Sequence, residues 1–390
     1  MNGKDKTAPH IAIIGGGMGG TTAAILLQRA GYTVKLYEQS ANLTGAGAGI
    51  NMDPQSMRIM RRLGVEQQLL DIGRVSETRL SRDWDTGKVT LEVPVHKYAE
   101  RYDGTHFSIH RAELQRVLSE AVAPGVIEMG KRLANIEDRG DVVNLTFEDG
   151  SKAQADMVIG ADGINSRVRE SLLGPEPAEF RGRVSYRGII PNAWMGDFRT
   201  ADHVKWWSPE RYFLTYYLTR SRDVFYFTAN VPEADWGSAN FAQQEADMTR
   251  VREHFAGFHP EVQYILDRCP RASRFAVRER DPLPFWSRGR IVLLGDACHP
   301  MPPFMGQGAA MAFEDAVILT RCLEQLGPDD PQRVFRMFEA NRFERASKMQ
   351  SESRKNQWLQ YPMDPGWVLK YDPFTVPLVS LPHSQLGAAA

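Results

Sequence analysis

Apolar residues fill positions 11–14, recur at Ala24, Leu26, Leu27 and Ala30, and return at Tyr32, Val34, Leu36 and Tyr37. A continuous run, then helical spacing, then a second apolar stretch predicts a strand, a helix with a buried face and a parallel strand. Further on, Pro54 opens a predicted helix with Met57, Met60 and Leu63 on its apolar side. Alternation between about 76 and 95 predicts short strands, and Leu114, Val117, Leu118 and Ala121 mark a helix entered at His110 and Arg111. A hairpin at 142–147 turns at Glu148-Asp149-Gly150 and leads to a strand at 157–159. Three aromatic-rich strands follow at 204–208, 212–219 and 223–230, which predict a separate antiparallel sheet. In the second of them Tyr212, Leu214, Tyr216 and Leu218 share one face, and Phe213, Thr215 and Tyr217 share the other. Period alone leaves open which face meets a ligand. A buried strand at 291–294, a helix from about 306 and a long helix over 331–358 complete an α/β pattern.

The first turn reads G-x-G-x-x-G at Gly15, Gly17 and Gly20. Gly15 permits the tight turn, Gly17 lets the backbone approach a pyrophosphate, and Gly20 lets helix and strand pack closely. The helix start adds N–H donors and the positive end of a dipole. Glu38, at the end of the second strand, stands where a carboxylate would hold an adenosine ribose, and it would repel a 2′-phosphate. The nucleotide expected here is therefore FAD or NAD, not NADP. Glycines across 45–49 imply backbone lying against a flat ligand, with Gly49 at its end. Arg58, Arg61 and Arg62 read as a solvated helix face.

With 390 residues, 42% of them hydrophobic, the chain is long enough for two to three domains and a large core. A formal net charge of -1 without a long basic run gives no electrostatic footprint for nucleic acid or an anionic membrane. Small-molecule partners are expected. Cys269, Cys298 and Cys322 lack C-x-x-C spacing, so neither a metal site nor a disulfide framework is expected. Scattered cysteines, no apolar segment after the charged N-terminus and no apolar stretch of about 18 residues point to a cytoplasmic protein. Monomer and homodimer remain equally open.

Five segments appear in a fixed order: GGGMGG at 15–20, HRAEL at 110–114, GADGINSRVR at 160–169, GDACHPMPPFMGQGAAMAFEDA at 295–316 and FEANRFERA at 338–346. In this order they resemble the group A flavoprotein aromatic hydroxylases, the p-hydroxybenzoate hydroxylase-like enzymes, over nearly the whole chain. The resemblance implies a Rossmann-like FAD-binding domain at 10–75, 100–180 and 276–345. It is interrupted by an antiparallel β-sheet substrate domain at 76–99 and 181–275, with a C-terminal helix and tail at 346–390. It also implies that Asp296 accepts hydrogen bonds from the FAD ribityl hydroxyls and that Arg111 neutralises pyrophosphate or ribityl oxygens. Asp162 would lie near the pyrophosphate and the route of the nicotinamide. The helix opening at Gly306 and Gly308 would aim its N-terminus at the pyrimidine edge of the flavin, Pro303 and Met305 would line the ring, and residues 47–50 would form the opposite approach. In the implied chemistry NADH or NADPH, a transient co-substrate, reduces FAD. Oxygen then adds to give a hydroperoxide, which an electron-rich ring carbon attacks.

The segments at 205–219, 257–263 and 286–303 look closest to the branch that acts on 6-hydroxynicotinate with loss of its carboxylate. In that branch histidines occupy the positions held here by Asn51, Tyr212 and Phe304. Asn51 and Phe304 do not titrate, so Tyr216 is expected to orient the substrate by a hydrogen bond, with Tyr212 and Asn51 as the other catalytic candidates. His299 reads as structural, and Lys205, Arg211 and Arg187 are the cations available for a substrate carboxylate, though each reads first as a surface charge. The expected activity is FAD-, NAD(P)H- and O2-dependent hydroxylation of a small hydroxylated aromatic or N-heteroaromatic acid, with or without decarboxylation. A salicylate-type or other phenolic acid hydroxylase, a reductase on the same scaffold and a non-catalytic dinucleotide sensor are the alternatives.

Overall fold

The structure is a computed structural model that describes residues 9–43, 48–237 and 241–380. Most of the glycine-rich segment at 45–49 and the final four residues lie outside them.

The strand His10–Ile14 pairs in parallel with Thr33–Tyr37 on one side and Met157–Gly160 on the other, and the last of these pairs in parallel with Ile291–Leu293. Residues 11–14 are buried because this six-stranded sheet shares one core with helices and with Val143, Leu145 and Phe147 of a separate three-stranded antiparallel sheet. The helices Met18–Arg29 and Gly308–Leu326 cross it in close contact: a Cβ on Gly19 would lie 3.1 Å from that of Ala312. The turns at Gly15 and Gly295, far apart in sequence, are thus held on two strands of one sheet separated by Met157–Gly160.

The second layer is an eight-stranded mixed sheet. Its strands Arg79–Asp83 and Val89–Val93 come from the first third of the chain, and Arg79–Asp83 runs parallel to His203–Trp207. Residues 76–99 thereby join the strands between Glu179 and Glu279 in one sheet. One face, with Val204, Trp206, Phe213, Tyr217 and Phe227, packs on Val251, Phe255, Val262 and Ile265 of the helices Met248–His254 and Pro260–Asp267. The opposite face looks toward the parallel layer, and a cavity lies between them.

Two elements differ from the sequence reading. The helix Pro331–Lys355 runs unbroken through the expected division at 345/346, because Phe338, Arg342, Ala346 and Met349 continue one buried stripe. Arg58 is buried, unlike its exposed neighbours Arg61 and Arg62. Its guanidinium donates to the carbonyls of Tyr102, Leu369 and Tyr371, which fastens the C-terminal segment to the helix Pro54–Arg62.

Candidate active site

The fingerprint glycines differ in what requires them. Gly15 has φ +107°, and a Cβ there would lie 2.4 Å from the Ala161 carbonyl oxygen. A Cβ on Gly20 would lie 2.0 Å from the Gly15 oxygen. Gly17 has φ -70°, and its Cβ would meet nothing within 4 Å. The fold therefore demands the first and third glycines, whereas the second leaves space unfilled by protein. The helix Met18–Arg29 starts without a side-chain cap or an acid in its first turn, and so does Gly308–Leu326. Both N-termini, and Gly306 with φ +70°, open on one cavity of about 500 Å³, a volume typical of ligand sites. Two uncapped helix starts make that cavity receptive to anionic groups.

Glu38 is buried at the end of its strand and accepts the N–H groups of Gly16 at 2.7 Å and Ser40 at 2.8 Å. An ionised carboxylate has about four acceptor positions, so capacity for ribose hydroxyls remains. Asp162 is oriented differently from the expectation. Its carboxylate accepts the Ser166 hydroxyl and the N–H groups of Arg167 at 2.7 Å and Val168 at 3.2 Å. It shapes the start of the helix Arg167–Leu173, and the loop presents Ala161, Gly163 and Ile164 to the cavity instead.

Asp296 and Arg111 both line the cavity and are exposed to it, and neither has a hydrogen bond through its side chain among the described residues. Burial raises the Asp296 pKa, against the opposing pull of His299 and Arg111. Burial, and then Arg187, lower that of Arg111, while Asp296 supports its charge. Asp296 Oδ1 would stand 3.9 Å from a Cβ on Gly308, beside the helix start. Its turn is anchored from below. Asp315 accepts the Gly295 N–H at 3.0 Å, His299 Nε2 lies 2.6 Å from the same oxygen, and Arg342 binds the other at 2.7 Å. His299, Asp315 and Arg342 are fully buried away from the cavity. Pro303 and Met305 line the cavity next to this turn.

The antiparallel sheet turns the Tyr212, Leu214 and Tyr216 face to the cavity. Strand pairing sets its neighbours: His203 opposes Tyr216, Lys205 opposes Leu214, and Arg79 lies beside His203 on the parallel strand. Tyr216 stacks on His203 at 5.8 Å and an interplanar angle of 8°, and Tyr226 flanks it at 4.9 Å. Gly49 passes so close that its Cβ would fall 2.8 Å from the Tyr216 hydroxyl. Burial pushes the pKa of both Tyr212 and Tyr216 up, which keeps their phenols protonated as hydrogen-bond donors. Asn51 accepts the Ser108 hydroxyl at 2.7 Å, and its amide nitrogen lies 3.5 Å from His203 Nε2. Phe304 packs edge-on to Tyr212.

Lys205 is no surface charge. It is 2% exposed, with Nζ 3.6 Å from the Trp207 ring centre and 3.8 Å from that of Tyr212. Burial, and then Arg79, drive its pKa well below the ordinary lysine value. Arg187 also lines the cavity, its guanidinium 3.6 Å over Phe275. Arg211 instead donates to the His254 carbonyl, outside the cavity.

Four further residues of this wall escaped the sequence reading: Asp53, Arg79, His106 and His203. Asp53 directly precedes the helix Pro54–Arg62, yet its side chain caps nothing. It binds His106 Nδ1 at 2.8 Å and Gln307 Nε2 at 2.8 Å. The strand pairing that brings Arg79 beside His203 has no local signature.

The FAD binding domain family matches residues 9–353, and the chain belongs to this family. Within it the chain is an FAD-dependent monooxygenase, an oxidoreductase that takes O2 and an aromatic substrate. It is 44% identical over 377 residues to 6-hydroxynicotinate 3-monooxygenase of Pseudomonas fluorescens, covering 95% of this chain and 97% of that one. It is 45% identical over 383 residues to the Bordetella bronchiseptica protein of the same name, covering 97% and 98%. The solved structure of HpxO from Klebsiella pneumoniae with FAD and uric acid superposes with a TM-score of 0.79 at 27% identity, over 91% of this chain and 90% of that one. The space at Gly17, the uncapped helix starts, and Asp296 and Arg111, whose side chains make no hydrogen bond among the described residues, fit an anionic dinucleotide such as FAD. No helix among the described residues is long and apolar enough to cross a membrane.

Proposed function

We propose that the chain hydroxylates a small, already hydroxylated N-heteroaromatic or aromatic carboxylic acid, with NADH or NADPH as the electron source. One observation carries this reading: an aromatic sheet face presents two buried basic side chains, Arg79 and Lys205, to the cavity that the Gly308 helix start enters. A carboxylate arriving there would offset the repulsion from Arg79 and let Lys205 hold its proton, giving charge-assisted hydrogen bonds. The two relatives named for 6-hydroxynicotinate favour the N-heteroaromatic acid.

In this reading the Gly17 turn and helix start take the pyrophosphate, Glu38 the adenosine ribose, and Asp296 with Arg111 the ribityl chain. Residues 303–308 would lie along the ring system. Bound FAD supplies electron transfer and oxygen activation. The chain's own part is orientation: Lys205 and Arg79 would hold the carboxylate end, and the protonated Tyr216 and Tyr212 would donate to the ring substituents. Enclosure between two layers excludes water from the reacting carbon.

The test is NAD(P)H oxidation and O2 uptake by the FAD-loaded protein with a panel of hydroxypyridine carboxylic and hydroxybenzoic acids. A product heavier by one oxygen, or by one oxygen less carbon dioxide, is expected. NAD(P)H oxidation that yields only hydrogen peroxide with every acid would overturn the reading.

A further inference from the structure

We propose that Asp53 and His106 form a buried proton-accepting pair that takes the proton of the substrate's ring hydroxyl. The inference rests on the reading of the substrate as a hydroxylated acid. His106 is 2% exposed and lines the cavity. Its Nδ1 lies 2.8 Å from Asp53 Oδ1. The other Asp53 oxygen accepts Gln307 Nε2 at 2.8 Å, and Gln307 in turn accepts from Gln55 at 2.7 Å. Burial disfavours the Asp53 charge, but the bond and charge of His106, then the Arg79 charge and the Gln307 bond, outweigh it and hold the carboxyl below its ordinary pKa. An ionised Asp53 only accepts, so Nδ1 carries a proton, and in the neutral imidazole Nε2 is left with its lone pair. That nitrogen is buried and has no hydrogen-bond partner among the described residues.

The geometry follows the histidine–carboxylate logic of serine hydrolases, in which the acid fixes the tautomer and balances the imidazolium that forms. The hydroxyl O–H bond breaks, an N–H bond forms at Nε2, and the electron pair stays on the ring oxygen, where it enriches the carbon to be hydroxylated. Asp53 remains ionised throughout. The other groups facing the pair are Arg79 and His203 with Lys205 beyond them, and Tyr98 acts on Asp53 and Arg79. His203 stands edge-on to His106 at 5.2 Å, but it has no carboxylate, and Arg79, His106 and Lys205 all oppose its charge. The tyrosines hold their protons. Among the described residues of this wall, His106 alone combines a bare nitrogen with a balancing acid.

The experiment uses FAD-loaded wild type, His106→Gln and Asp53→Asn with 6-hydroxynicotinate and 4-hydroxybenzoate as probes. Three quantities are read across pH: ultraviolet absorbance of the bound probe's oxyanion, kcat and product mass. Wild type is expected to ionise the bound probe below its solution pKa. Both variants should bind it within about threefold but leave it protonated, with kcat about 100-fold lower. Above the probe's own pKa their kcat should recover, which a merely structural role would not produce. Asp53→Asn keeps His106 in place and covers a misfolded His106→Gln. Variants that ionise the probe and turn over like wild type overturn the pair. Wild type that ionises a probe and yields no oxygenated product overturns the hydroxylase reading and leaves the pair standing.

Discussion

The Cβ that Gly49 lacks would fall 2.8 Å from the hydroxyl of Tyr216 and 2.7 Å from its Cε2. Tyr216 is buried between His203 and Tyr226 and borders the cavity, into which its phenol can shift. Gly49→Ala should therefore displace the Tyr216 phenol by a fraction of an ångström. Steady-state kinetics should show kcat/KM lower by about 10- to 100-fold, the scale on which small misplacements act. Unchanged kinetics with the best acid of the panel would remove Tyr216 from the orienting role.

Gly17→Ala and Gly20→Ala should separate ligand space from folding. The Gly20 Cβ would collide with the Gly15 carbonyl, whereas the Gly17 Cβ meets no protein atom. Apo Gly17→Ala should melt within a few degrees of wild type yet bind FAD about tenfold or more weakly. Gly20→Ala should lose stability by the several kcal/mol typical of backbone overpacking. Thermal denaturation without FAD, followed by fluorescence titration with it, checks both.

Asp296→Ala should lower FAD affinity and activity together. Loss of a hydrogen bond to a charged group costs about 1.5–3 kcal/mol, or roughly 10- to 150-fold in Kd. The Asp296 side chain has no hydrogen bond among the described residues and its charge is disfavoured by burial, so the apo melting temperature should hold or rise. Full flavin content at native yield would contradict its assignment to the ribityl chain.

Arg342, Glu314 and Asp315 are all 0% exposed, and Arg342 binds the two acids at 2.8 and 2.7 Å. Arg342→Met takes one buried partner from each carboxylate, leaving Glu314 to Arg345 and Asp315 to His299 and the Gly295 N–H, and should cost about 3 kcal/mol in denaturant unfolding. Burial would raise the Asp315 pKa, but His299 and Arg342 hold it at about 2, below the ordinary 3.8. A depressed carboxylate pKa contributes stability above the unfolded value and loses it as pH falls through the folded one. The stability of wild type should drop between about pH 4 and 2, and Asp315→Asn should show a shallower drop.

What the sequence revealed was local. The G-x-G-x-x-G turn, the helix at Gly308 and the alternation of Tyr212, Leu214 and Tyr216 depend on neighbours within a few residues, and spacing records them. Lys205 was misread because a lone lysine in KWW carries no sign of which face is covered. Its burial follows from Arg79–Asp83 pairing beside it across more than a hundred residues. His106 and Asp53 were invisible for the same reason. Asp162 was found as a loop residue, yet its side-chain direction depends on the capping demand of the following helix.

The two helix starts that open on the cavity belong to Met18–Arg29 and Gly308–Leu326, near opposite ends of the polypeptide. A dinucleotide gripped by both works as a non-covalent cross-link between the first and last thirds of the chain. Flavin supply would then govern how long the protein survives proteases as well as how fast it turns over.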